Sequence, residues 1–234
     1  MKTTILYDNT VYREGLGLRS DWGFAALVES RGRKVLFDTG ANGGILLSNM
    51  ERLSVDPGSV SDVFISHAHF DHTGGLAAFL SRNPRVKIWT PPSFRFAGVL
   101  PGSLKSAGDG AFPEAVTVRG PRKLREGFFS TGELENIEQS LCVESGRGIV
   151  VVAGCSHPKM EMILSAAALF GKVYGIIGGL HGNPPESLGN LQLVCATHCT
   201  RYKPQIQALY HHRYVEGGVG RIIEVDDPSE GRRR

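Results

Sequence analysis

Three histidines and an aspartate fall within six consecutive positions of the stretch His67-Ala68-His69-Phe70-Asp71-His72. Imidazole nitrogen and carboxylate oxygen are ligand atoms that zinc accepts, so this group can supply most of one tetrahedral shell or parts of two. A lone histidine at the end of a strand is ordinarily a hydrogen-bonded polar group and nothing more. Four ligand types this dense are different, because burying them without an ion would leave polar groups unpaired at a cost of several kcal/mol each.

The surrounding residues show how such a group can be positioned. An apolar run over 62–66 precedes it, and Thr73-Gly74-Gly75 with a helical apolar pattern over about 73–82 follows, so the segment reads as strand, loop, helix. Alternate side chains of a strand share a face, which lets His67 and His69 converge on one point, while Asp71 and His72 lie in the turn that folds back over it. Three more apolar runs close on a histidine: 148–153 on Gly154-Cys155-Ser156-His157, 173–178 on Gly179-Leu180-His181, and 192–196 on Thr197-His198-Cys199. Strand ends that deliver histidines repeatedly are what a shared crevice at one sheet edge requires. A further strand over 34–37 runs into Asp38-Thr39-Gly40, where Asp38 is either a turn residue or the carboxylate that fixes a ligand histidine's ring. His211-His212 reads as a solvated pair at a helix C-terminus and stays outside the site.

The remaining elements fit the same alternation. Strands are expected at 2–8, 22–30, 139–144 and 221–225, with Trp22, Phe24, Ala26 and Val28 sharing one face of the second. Helices are expected at 43–53, 160–170 and 203–210. Helices alternating with strands imply helices packed outside a sheet. Between about 91 and 132 the periodicity fades into a Pro-, Gly- and Arg-rich stretch with Phe94, Phe96, Phe112, Phe128 and Phe129. It reads either as a flap over the substrate pocket, with Arg95 and Arg122 supplying charge, or as a surface excursion or contact in a homo-oligomer.

His67-x-His69-x-Asp71-His72 followed by Thr73-Gly74-Gly75 resembles the signature of the metallo-β-lactamase superfamily. The resemblance implies an α/β fold, a four-layer αββα sandwich of two mixed sheets packed face to face with helices outside, holding one or two metal ions. It implies a first ion on His67, His69 and a distal histidine, and a second on Asp71, His72 and another distal histidine. The distal histidines available are His157, His198 and His181. One departure is plain: no aspartate occurs between Asp109 and Asp226, so the usual bridging carboxylate is missing, and His157 or Cys155 stands where it is expected. The set Gly154-Cys155-Ser156-His157-Pro158, Gly178-Gly179-Leu180-His181, Thr197-His198-Cys199-Thr200 and Gly218-Val219-Gly220 resembles the branch related to 7,8-dihydropterin-6-yl-methyl-4-(β-D-ribofuranosyl)aminobenzene 5′-phosphate synthase.

Composition narrows the context. A chain of 234 residues with 41% hydrophobic and 21% charged residues is that of an ordinary globular protein, and one domain over 1–227 is expected, with a disordered tail at 228–234. The net charge of +3 gives no basis for a nucleic-acid partner. No run approaches the ~18 apolar residues of a membrane span, and there is no signal-like N-terminus, so a cytoplasmic location is the expectation. Four irregularly spaced cysteines suggest free thiols.

The expected function is that of a metal-dependent hydrolase or related transferase, with Zn²⁺ as cofactor (Mn²⁺ or Fe²⁺ as alternatives) and a metal-bound hydroxide acting on a small phosphorylated or pterin-like molecule. Asp71 is the candidate catalytic residue besides being a ligand. Asp38, Cys155, Thr197 and Cys199 are the candidates to support the ligands, and Thr197 or Ser156 to donate to an oxyanion. A metal-bound scaffold or sensor is the non-enzymatic alternative. A di-iron oxygen or nitric oxide reductase fits less well, since His69 stands where such proteins usually carry glutamate.

Overall fold

The computed structural model describes residues 1–95 and 113–226. Two sheets stack face to face. The first has the order β13-β1-β2-β3-β4-β5-β6, made of β1 (Lys2–Tyr7), β2 (Ala25–Ser30), β3 (Arg33–Phe37), β4 (Asp62–Phe64), β5 (Lys87–Thr90), β6 (Glu114–Thr117) and β13 (Ile222–Glu224). The second has the order β12-β11-β10-β9-β8-β7, made of β7 (Arg122–Arg125), β8 (Phe128–Ser130), β9 (Leu141–Ser145), β10 (Gly148–Ala153), β11 (Val173–Gly179) and β12 (Leu193–Thr197). The helices are α1 (Gly43–Arg52), α2 (Phe70–Thr73), α3 (Leu76–Arg82), α4 (Met160–Ala168) and α5 (Lys203–Leu209).

Side-chain alternation along the strands explains the layering. In β3, Val35 and Phe37 join the core between the sheets while Leu36 points to the other face. In β10, Val150 and Val152 face inward, and Ile149, Val151 and Ala153 face outward. The inner core pairs Phe24, Ala26, Val28 and Phe64 from the first sheet with Phe128, Leu141, Val143 and Ile177 from the second. Ile45, Leu46 and Met50 of α1 and Phe79 and Leu80 of α3 cover the first sheet's outer face. Met160 and Ile163 of α4 and Ile206 of α5 cover the second. This is the expected four-layer αββα sandwich, with strands too apolar on both faces to border water. Arg125 of β7 donates to buried Asp62 of β4 at 3.0 Å, and Trp89 Nε1 donates to the same Asp62 oxygen at 2.9 Å, tying the sheets together at one end.

Strand direction sets where the site can be. β3, β4 and β5 run parallel, as do β10, β11 and β12, and β1 runs the same way as β3 because both pair antiparallel with β2. The loops after β1, β3 and β4 therefore emerge at one edge of the first sheet, and those after β10, β11 and β12 at one edge of the second.

Several expectations change. Of the stretch at 91–132, residues 114–130 supply β6, β7 and β8, so this part is sheet and not a flap; β6 and β7 are short and largely exposed and β8 has only three residues, too little apolar periodicity to announce a strand. Arg122 begins β7, exposed Arg95 donates to the Pro92 carbonyl, and Phe128 is core. Phe96 and Phe112 lie outside the described residues, as does the anticipated tail at 228–234. The strand expected over 22–30 begins only at Ala25, and Trp22 is exposed. The strand expected over 62–66 ends at Phe64. The helix expected over about 73–82 begins only at Leu76, and a separate turn, α2, precedes it across Gly74-Gly75, so Asp71 and His72 sit on a helical turn and not in a loop.

Candidate metal centre

Loops from both sheets meet over the open edge of the sandwich and bring two groups of ligand atoms together. One is His67, His69 and His157; the other is Asp71, His72, Cys155 and His198. Within each group one ligand atom from every residue lies within 4.8 Å of the others. The division follows the one the motif implies, with Cys155 added to the second group. Rings of the two groups touch: His67 and His72 have centroids 4.2 Å apart.

The first sheet delivers the motif. Asp38, at the end of β3, is fully buried; its Oδ1 accepts the Ser66 amide at 2.7 Å, and its Oδ2 accepts the Ser66 hydroxyl at 2.6 Å and His72 Nδ1 at 2.7 Å. With the Ser66 proton directed to Asp38, His67 Nδ1 donates to Ser66 Oγ at 2.9 Å. One carboxylate thus fixes two rings, His72 directly and His67 through a hydroxyl, and leaves their Nε2 atoms to the site. His72 Nε2 then lies 3.2 Å from Cys155 Sγ and 3.6 Å from Asp71 Oδ2, and His67 Nε2 lies 3.1 Å from His69 Nδ1. Asp38 also falls in a group with His67 and His72. Because both its oxygens are occupied by these partners, it acts as a support.

The second sheet delivers the distal candidates. After β10 the chain runs Gly154-Cys155-Ser156-His157 around the buried carboxylate of Glu138. Its Oε1 accepts the amides of Gly154 (3.1 Å), Cys155 (2.9 Å) and Ser156 (3.0 Å), and its Oε2 accepts that of His157 (2.9 Å). Gly154 is required here, since a Cβ would strike Ser66 Oγ and approach Asp38 Oδ2. After β12, His198 is held by Asn9, whose Oδ1 accepts from His198 Nδ1 at 3.0 Å and whose amide donates to the His198 carbonyl at 3.2 Å. His198 Nε2 lies 3.2 Å from Asp71 Oδ2. Asp38, Ser156, His181 and His198 all take positive φ, between 42° and 56°, so the strand ends that form this rim bend through a backbone region that non-glycine residues seldom adopt.

The titration of these groups follows from burial and crowding. Burial, then the neighbouring His72 and His69, holds His67 far below the usual imidazole range; burial, His69 and His181 push His157 down to about 4. Burial also lowers His198, with Asp71 pulling the other way. Burial opposes the charged form of His72, but Asp38 and Asp71 outweigh it and raise the group. For Asp71 burial acts upward, yet the contacts with His198 and His72 prevail and keep it a carboxylate. The contact with Cys199, together with burial, raises the Cys155 thiol and lowers that of Cys199. His67, His157 and His198, which burial holds toward the neutral form, stand beside the Asp71 carboxylate and the Cys155 thiol.

The donor set fits a metal. His157 Nε2 is buried and makes no hydrogen bond, and a buried nitrogen left unpaired costs free energy that a cation removes. His198 Nε2, with the ring proton on Nδ1 toward Asn9, faces the Asp71 carboxylate at 3.2 Å, two acceptors that a cation between them would reconcile. The remaining candidates divide. Cys155 lies closer to the centre than a supporting role implies. His181 is exposed and belongs to neither group; its ring packs on His157 with centroids 4.8 Å apart. Cys199 Sγ lies against the Cys155 carbonyl at 3.7 Å, and Thr197, one residue before His198, is buried with its Cγ2 toward Gly217. The Ser156 hydroxyl donates to the Gly179 carbonyl at 2.7 Å, so it is unavailable to an oxyanion. Glu138, Asn9 and Ser66 were not foreseen. Ser66 is the legible one of the three, lying immediately before the motif; nothing local marks the other two.

Comparison with known proteins agrees with this geometry. The family model of the metallo-beta-lactamase superfamily matches residues 23–166. A 7,8-dihydropterin-6-methyl-4-(beta-D-ribofuranosyl)-aminobenzene-5'-phosphate synthase of Methanocaldococcus jannaschii is 28% identical, over 86% of this chain and 88% of its own. A second, uncharacterized protein of that organism is 24% identical over 94% and 99% of the two chains. The solved structure of a metal-dependent hydrolase of the beta-lactamase superfamily superposes with a TM-score of 0.77 at 22% identity, covering 97% of this chain and 100% of that one. With motif, layered fold and family model in agreement, this chain belongs to the metallo-beta-lactamase superfamily.

Proposed function

We propose that this protein is a metal-dependent hydrolase or related transferase that acts on a small phosphorylated or pterin-like molecule, with two zinc ions held by the two groups of ligands. The observation that carries the reading is the pair of buried Nε2 atoms on His157 and His198, one in each of two adjoining groups: that of His157 makes no hydrogen bond, and that of His198, with the ring proton on Nδ1 toward Asn9, faces the Asp71 carboxylate acceptor to acceptor at 3.2 Å. Histidine nitrogen with one thiol suits zinc or iron better than magnesium or calcium, which favour oxygen. His67, His69 and His157 would hold one ion; Asp71, His72, Cys155 and His198 would hold the other. When bound, such ions acidify a water and polarise a carbonyl or phosphoryl oxygen. Asp71, kept ionised by His198 and His72, accepts a hydrogen bond from the nucleophile and orients it. Asp38 and Asn9 hold the ligand rings so that this geometry exists before substrate arrives.

The substrate class rests on the methanogen relative, named as a synthase of a phosphorylated dihydropterin compound. The described cysteines are free thiols, which suits a reducing compartment such as the cytoplasm, and no described helix is long and apolar enough to cross a membrane. The test is a screen of the zinc- and manganese-loaded chain against phosphodiester, thioester and lactone probes, with His67→Ala as control. Turnover abolished by His67→Ala supports the reading. Full metal content without turnover of any probe favours the scaffold or sensor.

A further inference from the structure

Trp22 is 57% exposed, an unusual state for the largest apolar side chain, and its indole leans on His198 with ring centroids 5.0 Å apart and planes at 60°. The backbone that carries it is pinned at every residue. Asp21 N–H donates to the Asp8 carbonyl at 3.2 Å, and the Asp21 carboxylate accepts the Tyr7 hydroxyl at 3.1 Å and the Trp22 amide at 2.8 Å. The Gly23 amide donates to Asn9 Oδ1 at 3.2 Å, the same oxygen that orients His198, and the Phe24 amide donates to the Asp71 carbonyl at 3.3 Å. Gly23 lies so close to that carbonyl that a Cβ would collide with it. An exposed indole on a mobile loop needs no explanation, whereas here five hydrogen bonds hold the segment that carries it, so the ring's position beside His198 is set in advance. The other large exposed aromatic next to the motif, Phe70, differs: its ring folds back over Gly74 along its own helix.

We infer that Trp22 is a specificity-determining platform on which a planar heteroaromatic ring of the substrate stacks, presenting that ring's substituent to the metal centre. The inference rests on the hydrolase or transferase reading above and names the substrate part that the rim selects. The indole is more than half exposed while its ring lies 5.0 Å from that of His198, whose Nε2 is 3.2 Å from Asp71 Oδ2, so a ring stacked on its exposed surface lies beside the two groups. Offset stacking against an indole favours flat, π-rich partners over sugars and aliphatic chains.

The test is calorimetric titration of the zinc-loaded full chain with pterin-6-carboxylate as the planar probe and ribose 5-phosphate as the non-aromatic one. Wild type is compared with Trp22→Ala and Trp22→Phe, and the zinc content of each is measured first. Trp22→Ala weakens pterin-6-carboxylate about tenfold and Trp22→Phe less than about threefold, with ribose 5-phosphate unchanged. The platform is overturned if Trp22→Ala binds the pterin like wild type, if it weakens both probes equally, or if it loses zinc, which would make Trp22 only a buttress for His198. A wild-type chain that hydrolyses an ester probe yet does not bind the pterin would also sink the platform while leaving the hydrolase reading intact. A wild-type chain that holds no zinc would sink the hydrolase reading itself.

Discussion

Glu138→Gln is the sharpest structural perturbation, because one fully buried carboxylate holds the loop that sends a ligand to each of the two groups. Glu138 accepts four amides, three on Oε1 and that of His157 on Oε2. Glutamine has one acceptor oxygen and one NH₂ group. With its oxygen facing Gly154, Cys155 and Ser156, its NH₂ must face the His157 amide, donor against donor; the reverse orientation opposes three donors. The first choice forfeits one charge-assisted bond, ~1.5–3 kcal/mol, and leaves a buried amide unpaired at ~1–3 kcal/mol. Burial already pushes the Glu138 carboxyl up, so removing its charge recovers part of the desolvation cost. The net expectation is a loss of about 2 kcal/mol in the metal-free protein, with His157 displaced and the ion on His67, His69 and His157 lost first. Urea unfolding followed by far-UV circular dichroism gives the stability, and zinc titration with metal analysis gives the occupancy. A Glu138→Gln protein with wild-type unfolding midpoint and zinc affinity would refute the idea that this carboxylate organises the loop.

Cys155→Ser removes the one soft donor and should empty the group of Asp71, His72 and His198 while the other keeps its ion; cobalt substitution checks it, since the thiolate charge-transfer band should vanish. The metal-free protein should also respond to acid through His157. Its folded pKa is pushed down to about 4 from the ordinary 6.5, so between those values the unfolded chain binds more protons and stability falls as pH drops. His72, raised by Asp38 and Asp71, contributes with the opposite sign, so the quantity to measure is the difference between wild type and His157→Asn. Unfolding midpoints from pH 7 to 4 should fall less steeply in the variant, and parallel curves would contradict the assignment.

Much of the centre is legible in the chain because its ligands are either adjacent in sequence or announced by apolar runs that stop. The segment His67 to His72 needs only its own spacing, and His157 and His198 are found because β10 and β12 end just before them. Asp38 is legible for the same reason, one residue past β3. Glu138 and Asn9 are not, since each acts by hydrogen bonds to residues 19 and 189 positions away, and no local pattern encodes such contacts. His181 has the same apparent credentials as His198, a histidine after a parallel strand. Its side chain stays exposed and outside both groups, so a strand-end position alone does not bring a histidine into them. β6 and β7 are hidden by largely exposed faces, as in Arg122-Lys123-Leu124-Arg125, where only Leu124 is buried, and β8 by its length of three residues.

The central claim is that these side chains form two adjoining ion sites, one of three histidines and one of two histidines, an aspartate and a cysteine. Metal analysis of the zinc-replete protein after dialysis tests it most directly, alongside His69→Ala. About two zinc ions per wild-type chain, falling to about one in His69→Ala, is the predicted result. A wild-type chain that retains one zinc ion or none would contradict it.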